Sequence, residues 1–150
     1  MEEFEKIELS RFLKEKGISP SYHRRLILKE LRGRSDHPSA EHLYQSLSTR
    51  LPTLSRTTVY NTLGLFERCG LIRSLSVNGH EMHYDHDTAD PVHFFCEKCH
   101  AIIDPPEPSV VPLPTGMFPG FEIRLVQVIA RGICPNCQAE FRQSGKNIPL

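Results

Sequence analysis

Residues 55–85, SRTTVYNTLGLFERCGLIRSLSVNGHEMHYD, change period in the middle, and that change decides the fold. Over 55–69, Val59, Leu63 and Phe66 recur at helical spacing behind a Ser55 N-cap, and Gly70 is a stop signal. From Leu71 to Val77 the pattern alternates, Asn78-Gly79 reads as a two-residue hairpin turn, and Glu81 to Asp85 returns. A helix followed at once by a β-hairpin predicts a winged helix-turn-helix.

Upstream, three more helices are expected. Residues 4–16 place Phe4, Ile7, Phe12 and Leu13 at amphipathic spacing, and Gly17 ends the run. Ser19-Pro20-Ser21 starts a second helix with Tyr22, Leu26, Ile27 and Leu31 on one face, as far as Gly33. Ser39 caps a third that buries Leu43, Tyr44 and Leu47. Downstream, 86–91 (HDTADP) reads as a hinge, and short strands are expected at Val92–Phe95 and Ala101–Asp104, with a longer one at Phe121–Ala130. Six prolines between Asp104 and Phe121 exclude a regular helix there, because each interior proline removes a hydrogen bond and clashes with the preceding turn. The expected class is α+β: a winged-helix DNA-binding domain over 1–85, the hinge, and a small α/β metal-binding and dimerisation domain over 92–150.

The net charge of zero hides an asymmetry. Residues 1–79 carry 13 Lys+Arg against 9 Asp+Glu, and residues 80–150 carry 5 against 9. A basic front half and an acidic, His- and Cys-rich back half suggest separate tasks. No stretch approaches the ~20 apolar residues of a membrane span, and the acidic, amphipathic first residues are unlike a targeting signal. A cytoplasmic protein with no membrane partner is the expectation.

Cys96-x-x-Cys99 and Cys134-x-x-Cys137 are separated by 34 residues. Two residues between thiolates let a tight turn aim both sulfurs at one ion, and two such turns complete a tetrahedron for structural zinc. A disulfide pair suits an oxidising compartment instead, and a single redox dithiol leaves the second pair unexplained. Cys69 is read as a small packed residue. Eight histidines are present, several near carboxylates. His37, Asp85, His93 and Asp104 are each candidates for a mixed imidazole–carboxylate metal site, a donor set that suits iron(II), manganese(II) or zinc. Taken singly, each reads as well as a capping or turn residue. His80, His83 and His86 are expected to face solvent, with His83 or His86 candidates for an additional metal. His23, His42 and His100 are read as surface or packing residues.

His37-Pro-Ser-Ala-Glu-His-Leu-Tyr44, Pro52, Thr57-Thr-Val-Tyr-Asn-Thr-Leu63, Leu65, Glu67, Gly70-Leu-Ile72 and the two Cys-x-x-Cys pairs together resemble the ferric uptake regulator (Fur) family, from about Tyr22 to Cys137. The resemblance implies a metal-dependent repressor with a four-cysteine zinc and a regulatory metal, iron(II) or manganese(II), at His37, Asp85, His93 and Asp104. Aspartate at 104 and the Thr-Val-Tyr-Asn run resemble the peroxide-sensing, PerR-type branch, in which oxidation of a ligand histidine releases DNA. Two departures stand out. The family's usual fifth ligand falls on Pro91, which leaves substitution by His86, Asp87 or Asp90, a water, or a four-coordinate site, and prolines occupy the segment where relatives carry a dimerisation helix.

The expected partners are a palindromic double-stranded operator and a second copy of the chain. Arg56 and Tyr60, with Thr57 and Thr58, are the candidates for base contacts, because Arg pairs with guanine and Thr or Tyr touches a thymine methyl. Arg24, Arg25, Arg73 and Arg50 are candidates for phosphate contacts. The competing functions are an iron- or zinc-availability repressor without peroxide sensing and, remotely, a metalloenzyme. The latter needs an open metal position and an acid/base glutamate, and no His-x-Glu or His-Glu-x-x-His pattern occurs.

Overall fold

Three serines start three helices by the same chemistry. Ser21, Ser39 and Ser55 sit in extended backbone, and their side-chain oxygens accept from the backbone N–H of Arg24, His42 and Thr58. Each satisfies an N–H that the helix itself leaves unpaired. The computed structural model describes residues 3–77, 79, 81–88, 92–107 and 115–143. It divides into two compact units, Met1–Thr88 and Ala89–Leu150.

The first unit holds α1 (Glu3–Glu15), α2 (Tyr22–Arg32), α3 (Ala40–Ser48), α4 (Arg56–Arg68), β1 (Arg73–Ser76) and β2 (Met82–Asp85). Helices α1 and α4 end alike. Gly17 and Gly70 take positive φ (74° and 68°), and the next residues, Ile18 and Leu71, donate back to Leu13 and Phe66 at 2.9 Å. Only glycine enters that left-handed region without a Cβ penalty, and the paired back-bonds satisfy the last carbonyls. Ile18 and Leu71 are thereby folded into the core.

That core is Leu13, Ile27, Leu28, Leu31, Leu43, Leu47, Val59, Leu63 and Phe66, all essentially inaccessible. Each such side chain contributes about 1.5–3 kcal/mol relative to exposure. Three expectations are corrected here. Phe4 and Ile7 are 79% and 60% exposed, and α1 packs through Leu9 and Leu13 instead. Tyr22 is exposed, and Leu28 completes the inner face of α2. Tyr44 is only half-buried.

β1 and β2 form the antiparallel wing, with Arg73 opposite Asp85 and Ser76 opposite Met82. Gly79 has a positive φ of 76°; Asn78 and His80, read as turn and surface residues, lie outside the described residues. The other side of β2 is stitched to the segment before α3: Ser39 and His83 form an isolated antiparallel bridge, and the Tyr84 N–H donates to Pro38 O at 3.0 Å.

The second unit holds β3 (Val92–Cys96), β4 (Ile102–Ile103), a 3-10 turn (Thr115–Met117), β5 (Val128–Gly132) and α5 (Pro135–Gln143). The sheet order is β4-β3-β5, antiparallel between β3 and β4 and parallel between β3 and β5. The long strand expected at Phe121–Ala130 is corrected: pairing begins at Val128, opposite Val92, and runs to Gly132. Phe121 and Leu125 are exposed. Their alternation is a strand pattern, yet no described segment of the chain pairs with it. Helix α5 was not anticipated. It starts on Pro135, a residue that suits a first helical position because its missing N–H has no intrahelical partner there. Of the proline-rich stretch, 108–114 lies outside the described residues. Among the described residues no helix is long and apolar enough to cross a membrane.

Candidate metal centres and nucleic-acid interface

The four predicted zinc cysteines come together. Cys96 closes β3, Cys99 lies in the turn after it, Cys134 immediately precedes α5 and Cys137 is in its first turn. The four sulfurs lie within 4.8 Å of one another, and Cys99 Sγ is 3.9 Å from Cys134 Sγ. Zinc–sulfur bonds of about 2.3 Å in a tetrahedron place sulfurs about 3.8 Å apart, so the spacing fits the ion. Backbone geometry makes this possible. Cys96 N donates to Ala101 O and His100 N to Cys96 O, both at 2.9 Å, which folds the turn back on itself. His100 takes the left-handed conformation there (φ 61°).

The site is electrostatically primed for a cation. Burial pushes the Cys96 thiol up, but backbone hydrogen bonds from Cys99, Cys134 and Lys98 overcome it and bring it down to about 6; the Cys134 N–H lies 3.3 Å from its sulfur. Cys137 goes the other way. Burial, then its crowding by Cys134, Cys99 and Cys96, pushes it up to about 12. Four clustered thiols therefore resist losing their last protons until a divalent cation supplies the compensating charge. Lys98 ties the knuckle to α5 by an ion pair with Glu140 (2.7 Å) and by lying 4.2 Å over the Phe141 ring. Cys69 is half-buried against the helical core, as expected of a packing residue.

The His–Asp candidates occur as one pair in each unit. In the first, His37 and Asp85 are both buried, with His37 Nε2 3.9 Å from Asp85 Oδ1. Asp85 Oδ1 also accepts from Asp87 N at 2.8 Å, and the Arg73 guanidinium lies 3.8 Å from its other oxygen. His37 has a positive φ of 49°, an unusual conformation for a residue with a Cβ. His83 Nδ1 donates to His37 O at 2.8 Å. The expectation that His83 faces solvent is therefore corrected: it is half-buried and bound to a backbone carbonyl. In the second unit, His93 on β3 is buried and its Nε2 lies 3.5 Å from Asp104 Oδ1. Of the fifth-ligand candidates, His86 Nδ1 lies 3.9 Å from Asp85 Oδ1, while Asp90, like Pro91, lies outside the described residues. Imidazole and carboxylate donors without thiolate suit a regulatory divalent metal, iron(II) or manganese(II), rather than a closed structural site.

At the start of α4, Arg56, Thr57 and Tyr60 are exposed and Thr58 is half-buried. Arg56 donates to both oxygens of Glu41 at 2.9 Å and stacks 4.2 Å over the Tyr44 ring. Arg24 is turned to Ser19 O (2.6 Å) and Arg25 to Ser10 Oγ (3.4 Å). Arg73 is corrected as a phosphate contact: it is buried, and it donates to Asp87 O at 2.8 Å. Sequence reading missed Glu41, Tyr44 and His83 as partners of these residues. Only the helical spacing of Glu41 and Tyr44, which puts them on one face of α3, hinted at the first two.

A winged-helix unit on a chain that also carries a four-thiolate knuckle and paired His–Asp donors defines a metal-responsive DNA-binding regulator. Comparison with known proteins narrows the class. The Ferric uptake regulator family model matches residues 15–128. The Peroxide operon regulator of Bacillus subtilis is 32% identical over 127 residues, covering 83% of this chain and 88% of that protein. Among solved structures, PerR from Streptococcus pyogenes is 30% identical with a TM-score of 0.50, covering 89% of this chain and 92% of that one. An iron-bound ferric uptake regulator from Francisella tularensis is 25% identical with a TM-score of 0.66, covering 81% and 96%. The chain belongs to the Ferric uptake regulator family. It is accordingly a metal-responsive transcriptional repressor that binds DNA as a dimer, and not an enzyme.

Proposed function

We propose that the chain is a cytoplasmic peroxide-stress repressor that holds a palindromic operator while a regulatory metal is bound and releases it when a ligand histidine is oxidised. The ligands would be His37, Asp85, His93 and Asp104, with His86 or Asp90 as a fifth. The reading divides the chain into a DNA-binding domain over 1–85, a hinge over 86–91 and a metal-binding and dimerisation domain over 92–150. Metal binding would favour the DNA-competent state, in which the separation of the two recognition helices of a dimer must match half-sites about one or more helical turns apart. Arg56, Thr57, Thr58 and Tyr60 would meet base edges, and Arg24 and Arg25 phosphates.

The observation that carries the reading is His37. A buried imidazole in left-handed backbone, 3.9 Å from a buried carboxylate, is a costly arrangement that a metal ligand explains. The 32% identity to a peroxide operon regulator supports the peroxide branch. A bound iron(II) supplies the redox chemistry that activates peroxide. The imidazole of His37 would gain one oxygen atom at a ring carbon while hydrogen peroxide is reduced to water, and the modified ring would bind the metal less well. One specific observation favours the second reading, a repressor responding only to iron or zinc availability: Pro91 offers no side-chain donor where the family carries a histidine.

The test is the intact mass of oxygen-free protein after iron(II) and peroxide. A gain of about 16 Da, one oxygen, localised to His37 with loss of DNA binding is expected. Unoxidised histidines would instead select the availability repressor.

A further inference from the structure

Arg56 is the first residue of α4, and its guanidinium is held on two sides by α3. The Glu41 carboxylate takes Nε and Nη2, each at 2.9 Å, and the Tyr44 ring lies 4.2 Å beneath the plane. The side chain nevertheless stays 59% exposed. Glu41 uses one edge of the fork, so the terminal edge, Nη1 with the second hydrogen of Nη2, is left to make hydrogen bonds outside the unit.

Two parallel donors at that spacing match O6 and N7 of guanine, the commonest specific contact in the major groove. They also match a phosphate, but the carboxylate decides between these. A negative charge already paired with Arg56 repels a phosphate, whereas a guanine edge is uncharged. Orientation points the same way, because a phosphate contact needs only charge, while reading a base needs a guanidinium plane fixed before the encounter.

We propose that Arg56 reads a guanine in each operator half-site through its terminal edge, with Glu41 and Tyr44 as positioning residues that fix the plane. This rests on the reading of α4 as the recognition helix. The simpler account is a surface ion pair stapling α3 to α4. Such a staple contributes little to stability and has no influence on base preference.

The experiment enriches duplexes from a randomised library with the full chain loaded with zinc and manganese(II), then compares wild type, Arg56→Ala, Arg56→Lys and Glu41→Gln. Wild type is expected to select a guanine at one symmetry-related pair of positions and to prefer it over adenine by on the order of tenfold or more. Arg56→Ala loses that preference, and Arg56→Lys and Glu41→Gln weaken it several-fold, with thermal midpoints close to wild type in all three. The proposal is overturned if Arg56→Ala selects the same guanine, or if its affinity falls uniformly across sequences with a shallower salt dependence, as for a phosphate contact. If wild type enriches no sequence at all, the DNA-reading function itself fails, an outcome distinct from an enriched site indifferent to Arg56.

Discussion

His83 on the wing donates Nδ1 to the backbone carbonyl of His37 across 2.8 Å, tying the loop before α3 to β2 at the one residue of that loop with a positive φ. Because Asp85 lies two residues further along β2, on the same face of the strand as His83, this bond helps to set the 3.9 Å separation between the His37 ring and the Asp85 carboxylate.

Removing the tie should loosen the donors without disturbing the knuckle. His83→Ala is expected to weaken manganese(II) binding roughly tenfold, in the range of lost outer-shell partners, and to leave the zinc in place. Titration calorimetry checks the first part and elemental analysis the second. Unchanged manganese affinity would show that His83 only pins the wing.

The knuckle makes its own demand on stability. Cys96→Ser should abolish bound zinc and lower the thermal midpoint by roughly 10 °C or more, since a structural zinc site contributes directly to folding. Cys69→Ser, in the other unit, should keep the zinc. Metal analysis beside a melting curve distinguishes these two outcomes.

Glu30 predicts a pH dependence. Burial pushes its carboxyl up, but hydrogen bonds from Ser46 and Arg50, with the charges of Arg50 and Arg34, hold it below its ordinary 4.5. A carboxyl whose folded pKa is depressed stabilises the fold above the unfolded value, and that stabilisation disappears as pH falls through the lower, folded one. Wild type should therefore lose urea resistance below about pH 4.5 more steeply than Glu30→Gln. At neutral pH the variant should be weaker by about 1 kcal/mol, a figure limited by solvent screening. Parallel pH profiles would contradict the assignment.

In the helical core, Phe66→Ala should cost about 3–5 kcal/mol, because Phe66 is wholly buried and also anchors the end of α4 through its carbonyl. Urea denaturation of the chain measures it.

Much of this was legible in the sequence, for local reasons. Ser21, Ser39 and Ser55 announce helix starts because a cap needs only its own side chain and the next turn. The cysteine pairs announce a cluster because their spacing constrains a turn. What escaped depends on distant partners. Residues 121–127 have strand alternation, but a strand requires something to pair with. Helix α5 is short and weakly amphipathic, and its start at Pro135 is visible only in hindsight. The contacts of Glu41 with Arg56 and of His83 with His37 span 15 and 46 residues of sequence, and no local pattern encodes them. Phe4 and Ile7 misled because helical spacing shows that a face exists, not that anything covers it.

In the proposed mechanism a metal held through His37 governs DNA binding. The most direct measurement is the affinity of wild type and His37→Ala for an enriched duplex, by fluorescence anisotropy without oxygen, with and without manganese(II). Wild type should bind tightly only with the metal, and His37→Ala should bind weakly in both conditions while keeping its zinc and its fold. A His37→Ala protein that still gains full affinity on adding manganese(II) would contradict the account.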